Sequence, residues 1–181
     1  YAQSPALCVV PHMRSIAGDL LPTLRVPADF RKKLKVLGLV PSPSQRWSLF
    51  PFDYAGLYHR ESFLQTTGFD LNIKEPYWQK MDFGFRAWLW GQRIIASSGL
   101  RLQLSDDPQP EDTSPGPGYG RFYAKNILPE FLADHGHLPL RRFLAYHRAQ
   151  GLGLAASWRS FHELRNWVFA YRYRFRTEAR S

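Results

Sequence analysis

Asp82 and Arg86 stand four residues apart, so on a helix they share a face and can pair. Such a pair is either a structural ion pair of little net worth at a surface or a carboxylate held at a pocket by a neighbouring cation. In the second role it can bind or deprotonate a hydroxyl. Just upstream, Glu75-Pro76-Tyr77-Trp78 sets a carboxylate beside two aromatic rings, a composition suited to gripping a sugar ring. Gly68-Phe69-Asp70 reads as a tight turn whose Asp accepts backbone N–H bonds. Other reactive types are less informative. Cys8, between Leu7 and Val9, reads as a buried strand thiol and as the sole cysteine excludes an internal disulfide or a multi-cysteine zinc site. His135 and His137 flank Gly136 beside Asp134, but zinc asks for three or four ligands in defined geometry, so they read as capping or surface residues.

The elements that must position these groups follow from periodicity. Pro5 to Val10 is an apolar run expected as a buried strand ending at Pro11. Residues 18–48, with Pro22, Pro27, Pro41 and Pro43 and a basic cluster from Arg31 to Lys35, read as a long, partly ordered surface connection. A strand over Ala55–Arg60 and a short helix stopped by Gly68 come next. Pro76 sits where a first helical turn begins and Gly91 where a helix ends. Between them Met81, Phe85, Trp88 and Leu89 form one apolar face. Strands are expected over Arg93–Ser98 and Arg101–Leu104, parted by Gly99, then a loop over residues 105–120. Helices are expected around Tyr119–His135, Pro139–Gln150 and Ala155 to about Arg176, the last striped by Phe161, Leu164, Val168, Tyr171 and Phe175.

Composition bounds the partners. The chain has 181 residues, 44% apolar and 15% aromatic, enough for a sizeable core. Its net charge of +9 would suit nucleic acid, an anionic membrane face or phosphate-bearing substrates. The charge is uneven: Arg141 to Arg180 is rich in Arg, while Ser105 to Asp112 is acidic. A basic tail beside a more neutral body argues against a whole-surface nucleic-acid binder. No stretch approaches the roughly 20 apolar residues that span a bilayer, no signal peptide opens the chain, and one cysteine fits a reducing cytoplasm. Tyr1 in place of Met leads us to expect a fragment or excised domain.

Taken together, Arg60, Phe63, Gly68-Phe69-Asp70, Asp82, Arg86 and Gly91-Gln92-Arg93-Ile94 form a pattern, with the small residue Gly56 preceding it. In order and spacing it resembles the C-terminal half of the family 2 nucleotide-sugar glycosyltransferases, which have the GT-A fold. The resemblance covers about Pro5 to Asn126, its specific part lying between Gly56 and Ile94. It implies a sugar moved by inverting displacement from a nucleotide diphosphate donor to a polysaccharide, glycolipid or other glycan acceptor. It also implies Asp82 as catalytic residue and Gly56, Asp70, Glu75, Tyr77, Trp78 and Arg86 as substrate-binding residues. A divalent metal, Mg²⁺ or Mn²⁺, is expected on a donor-side D-x-D motif outside this chain. The missing donor half is read as truncation, which would leave this chain inactive by itself.

Two departures qualify the pattern. Gln79-Lys80 replaces the family's acid pair, leaving Asp82 or Glu75 as the base, or a non-catalytic binding or scaffold module as the alternative. Where the family often has a metal-binding His, this chain has Leu104-Ser105-Asp106-Asp107; Asp106 is of the right type for a hard cation, and the metal ligands stay unassigned. The basic last helix either docks and presents Arg to water or lies on an anionic membrane with Trp158, Trp167, Tyr171 and Phe175 at the interface. The location this implies is cytoplasmic, peripheral at the inner membrane face. The architecture expected is α/β: a partial GT-A sheet with packed helices over residues 1–127, then a helical basic extension over 128–181.

Overall fold

The computed structural model describes residues 5–30, 33–42, 46–106 and 108–179, with backbone alone for Asp29, Phe30, Lys33 and Leu34. Tyr1, Arg31, Lys32, Pro43, Asp107 and Arg180 lie outside the described residues. The described chain is mixed α/β, with small sheets and five α-helices. It divides into two compact units, residues 1–68 with 92–110, and residues 69–91 with 111–181. This line differs from the sequence boundary after Ile127.

The first unit is built on a three-stranded sheet. Its centre is β1 (Cys8–Arg14), which buries Cys8, Val10 and Met13. The strand runs past Pro11, where the sequence suggested an end. Its partners are β4 (Leu57–Tyr58), antiparallel, and β5 (Ile94–Gln103), parallel. The β1–β5 register runs Cys8 to Ile94 through Pro11 to Ser97, then resumes with His12 opposite Arg101. Proline has no N–H for a ladder, and the register breaks right after Pro11. Ser98, Gly99 and Leu100 are thereby looped out of the pairing. The two strands expected around Gly99 are therefore one bulged strand. Residues 46–48 line the sheet at β5, Ala96 N–H donating to Arg46 O at 2.6 Å and Ser48 N–H to Ile94 O at 3.0 Å.

The surface connection expected over residues 18–48 is largely a hairpin, β2 (Leu24–Phe30) with β3 (Lys33–Leu39), in unbroken antiparallel register. Pro27 faces Val36 in a two-stranded ribbon, and proline is tolerated in such edge strands. After β4 comes α1 (Arg60–Gln65), capped by His59, whose ring Nδ1 accepts from Ser62 N–H. The left-handed pair Thr67 and Gly68 ends this turn of chain, as expected of Gly68.

The second unit is mainly helical. Its centre is α2 (Pro76–Leu89), with Pro76 in the first turn and Gly91 at φ +75° just beyond the end. Of the expected stripe, Met81, Phe85 and Leu89 are buried, but Trp88 is 41% exposed. The helix is enclosed on most of its circumference, Lys80, Asp82 and Arg86 included, so a single amphipathic stripe does not describe it.

The loop after β5 ends earlier than expected, at Gly116. There α3 (Pro117–Phe122) begins and widens directly into a π-helical turn, Tyr123–Ile127. No helix continues to His135. A hairpin of β6 (Glu130–Leu132) and β7 (His135–His137) turns at Ala133, φ +53°, and Asp134 instead. The fold closes with a 3₁₀ turn at Leu140–Arg142, α4 (Phe143–Gln150), left-handed Gly151, α5 (Leu154–Ala170) and a second 3₁₀ turn at Arg172–Arg174. The core gathers Leu89, Trp90, Ala124, Leu128, Leu138, Tyr146, Phe161, Leu164, Val168 and Phe175. The stripe on α5 is thus correct through Val168, but the helix stops at Ala170. Phe175 reaches the core from beyond the helix end. Among the described residues no helix is long and apolar enough to cross a membrane.

Candidate functional site

The second unit encloses a network of charges around α2. Asp82, from the middle of that helix, has no solvent exposure, and Arg86 one turn later is 1% exposed; the two are paired. Lys125, in the π turn and 1% exposed, donates to Asp82 Oδ2 at 2.9 Å and to Asp70 Oδ2 at 2.8 Å. Asn126 Nδ2 donates to Asp82 Oδ1 at 2.8 Å and to Phe122 O at 3.1 Å. Arg121 Nε reaches Asp70 Oδ2 at 2.7 Å, and its Nη1 reaches Glu163 at 3.3 Å on the exposed rim. One lysine therefore bridges the two acids of the sequence pattern. The ring of Trp167 lies 4.5 Å from Lys125 Nζ, adding a cation–π contact.

The electrostatics follow from that inventory. Arg86, Arg121 and Lys125 surround Asp70 and Asp82, and Arg121 also reaches Glu163 at the rim. Burial opposes ionisation of Asp82, but Arg86 and Lys125 outweigh it and hold its carboxyl below the usual carboxylate range. Burial is likewise overcome at Asp70 by Lys125 and Arg121, which keep that carboxyl far below the usual range. A general base works best with a proton affinity near the working pH and a path to its substrate. Asp82 is fully enclosed, and its neighbours favour its ionised form. Arg86, expected to bind substrate, is enclosed with it.

The remaining candidates separate. Asp70 Oδ1 accepts the N–H of Asn72 at 3.0 Å, the turn expected of it. Glu75 Oε1 accepts the Gly118 N–H at 3.1 Å, so its carboxylate caps the first turn of α3. Gly116 and Gly118 let that carboxylate approach, since a Cβ on Gly116 would stand 2.5 Å from Glu75 Oε1. Trp78 is 8% exposed; its Nε1–H donates to Ser114 O at 2.8 Å, and its ring packs on Tyr119 and Phe122. It is a core residue, not an open platform for a sugar. Tyr77, half-buried, meets the Trp78 ring edge-on. Gly56 lies in the first unit, where a Cβ would collide with Cys8 Sγ and stand 3.1 Å from Val9 O. Its smallness is required by β1, and there the Cys8 thiol is pushed up to about 12 by burial, which disfavours the thiolate.

Gln79 and Lys80 make structural contacts. Gln79 Nε2 donates to the carbonyls of Asp70 and Ile73, both at 3.1 Å, and so holds the turn that carries Asp70. Lys80 is 3% exposed and pairs with Glu111. Asp106 is exposed, accepting from Ser105 Oγ at 3.1 Å. Among the described residues no three His, Cys, Asp or Glu converge as a metal set, His135 and His137 included; the ligands expected outside this chain are untouched by that. The C-terminal aromatics expected at a membrane are mostly occupied: Trp167 stacks on Trp90 at 6.0 Å, Tyr171 lies 5.5 Å from the same ring, and Phe175 is 3% exposed. Of that set Trp158 stays open, at 46%.

Arg121, Lys125 and Asn126 complete the network around Asp70 and Asp82, and sequence reasoning misses them. The available signal was Arg121 and Lys125 four apart within an apolar frame, the same kind of spacing that singles out Asp82 and Arg86. Compared with known protein families the chain matches none, and no curated protein matches it.

Proposed function

We propose that this chain is the acceptor-side part of a GT-A glycosyltransferase of the nucleotide-sugar type, acting on a glycan or lipid-linked acceptor. The observation that carries the reading is the run from Gly56 to Ile94, in which two of the acids, Asp70 and Asp82, share one buried lysine. In this reading Asp82 and Arg86 are positioning residues: through Lys125 and Asn126 they hold α2 against the π-helical turn rather than touching substrate. A divalent metal, Mg²⁺ or Mn²⁺, would offset charge on the departing diphosphate from ligands outside this chain.

A second reading, a non-catalytic relative that binds or scaffolds, rests on its own observation. Gln79 and Lys80 are committed to structural contacts where the acid pair would stand, and Glu75 is committed as a cap. The assay that separates the two uses the protein with its natural flanking sequence, a panel of nucleotide sugars and Mg²⁺ or Mn²⁺. Metal-dependent release of nucleoside diphosphate that rises with acceptor is expected. A folded protein that releases none across the panel would leave the non-catalytic reading standing.

For a membrane partner, the surface on offer is the turn between α4 and α5 rather than the face of α5. Leu144, Leu152, Leu154 and Trp158 are exposed there beside exposed Arg148 and Arg159. No Asp or Glu occurs from His135 to His162. Apolar groups flanked by cations suit an anionic interface. The protein is expected to float with vesicles of phosphatidylcholine and phosphatidylglycerol but not with phosphatidylcholine alone, and Leu152→Asp/Leu154→Asp is expected to abolish flotation. Equal flotation of the variant would remove this surface from consideration. A nucleic-acid partner has only net charge in its favour.

A further inference from the structure

We propose that the cleft between β7 and α5 binds a phosphate or diphosphate group. The cleft has a volume of about 390 Å³, within the range of small-molecule sites. Arg165 from α5, Arg172 from the 3₁₀ turn that follows it, and two histidines from β7, His135 and His137, converge on it. None of its lining residues is acidic.

The arginines are pre-set rather than loose. Arg165 Nε donates to Leu138 O at 3.1 Å, and Arg172 Nη1 donates to Phe169 O at 2.8 Å. Each guanidinium is thus fixed at one edge and has further N–H groups to offer. Among the described residues neither pairs with a carboxylate, whereas Arg141 and Arg142 nearby in sequence both pair with Glu130. A fixed guanidinium fork is suited to phosphate oxygens, since the geometry matches and little rotamer entropy remains to be lost.

Two features oppose an anion and are answered locally. The C-terminal end of a helix carries partial negative charge, and α5 ends here; Arg172 already bonds one of its last carbonyls. Asp134, 76% exposed, lies 2.9 Å from His135 Nδ1, leaving Arg165, Arg172 and His137 without an acid of their own. The floor is apolar, with Leu138 and Val168 each 1% exposed, so the phosphate can be free or carried on an apolar stem. The proposal is independent of glycosyl transfer: the cleft shares no residue with the network around Asp82.

The test uses inorganic pyrophosphate as probe. Saturable binding in the millimolar range or tighter is expected, with progressive shifts of the His135 and His137 ring proton resonances in the wild-type protein. Arg165→Gln/Arg172→Gln is expected to weaken binding at least about tenfold, the loss of charge-assisted hydrogen bonds. A second arm uses vesicles of phosphatidylcholine with phosphatidic acid, whose headgroup is a phosphomonoester, against phosphatidylcholine with phosphatidylglycerol. Arginine-dependent preference for phosphatidic acid assigns the group to a lipid, and arginine-dependent pyrophosphate binding without that preference assigns it to a soluble ligand. Should the double variant misfold, Arg172→Gln alone and the wild-type histidine shifts decide. Unmoved histidine resonances, or affinity for both probes indifferent to the arginines, would overturn the proposal.

Discussion

Replacing Asp82 with Asn is expected to lower unfolding free energy by about 3–5 kcal/mol, the usual effect of removing one partner from a buried charge cluster. Asn is nearly the same size, so no cavity arises; the effect is electrostatic. Arg86 and Lys125, each 1% exposed, would then lose the carboxylate they share, and Lys125 would keep Asp70. In a chain of this size each kcal/mol shifts the melting temperature by about 2–4 °C, so a drop of roughly 10 °C is expected. The companion Asp82→Asn/Lys125→Met should recover part of the loss, because it removes one of the two buried cations that lose Asp82 and leaves only Arg86. A melting temperature equal to wild type would show Asp82 to be solvated and open, which would restore it as a candidate base.

Acid sensitivity is the second large effect. Asp70 and Asp82 both titrate below the usual carboxylate range in the folded protein, while unfolded Asp titrates near about 3.9. Below that value the unfolded chain takes up protons that the native state refuses, so acid favours unfolding. The stabilisation is therefore complete above about pH 5 and lost progressively as pH falls through 4 toward the native values. Each unit of depression corresponds to about 1.4 kcal/mol at neutral pH. Urea midpoints measured from neutral pH downward should fall steeply for wild type. For Asp70→Asn they should start lower and decline less, the two curves converging in acid. Parallel curves would mean that Asp70 gains nothing from Lys125 and Arg121 when the protein folds.

Much of the frame was legible because its signals are local. Pro76 and Gly91 punctuate α2, and the apolar spacing of Met81, Phe85 and Leu89 gives its period, so helix and boundaries could both be read. Cys8 as a buried strand residue and Gly68 as a stop rest on equally local rules. The misses share a different cause. Pro27 sits in a strand that pairs as a ribbon, and His135-Gly136-His137 belongs to a hairpin whose turn uses a left-handed Ala133, a conformation no composition rule flags. Pro11 breaks a ladder without ending its strand, and Gly99, in the segment looped out opposite it, made one bulged strand look like two.

The site was half legible for a related reason. Spacing showed that Asp82 and Arg86 can pair, but not that both are enclosed, because burial depends on what arrives from far along the chain. Lys125 and Asn126 come from more than 40 residues away, and lysine is seldom buried unless paired. Trp78 illustrates the converse: its composition with Tyr77 suits a sugar platform, yet Ser114, Tyr119 and Phe122 cover it.

The wide turn at Tyr123–Ile127 makes chain length part of the site. There Tyr123 O accepts the Leu128 N–H, five residues on, at 3.0 Å. Arg121 precedes that turn, and Lys125 and Asn126 fall within it. Deleting one residue from it would restore regular winding and swing Arg121 about 100° around the axis relative to Leu128 and the chain beyond. Asp70 would lose one of its cations although the composition had hardly changed. Substitutions across 123–127 probe identity; a one-residue deletion probes phase, and phase decides whether three polar side chains meet two acids.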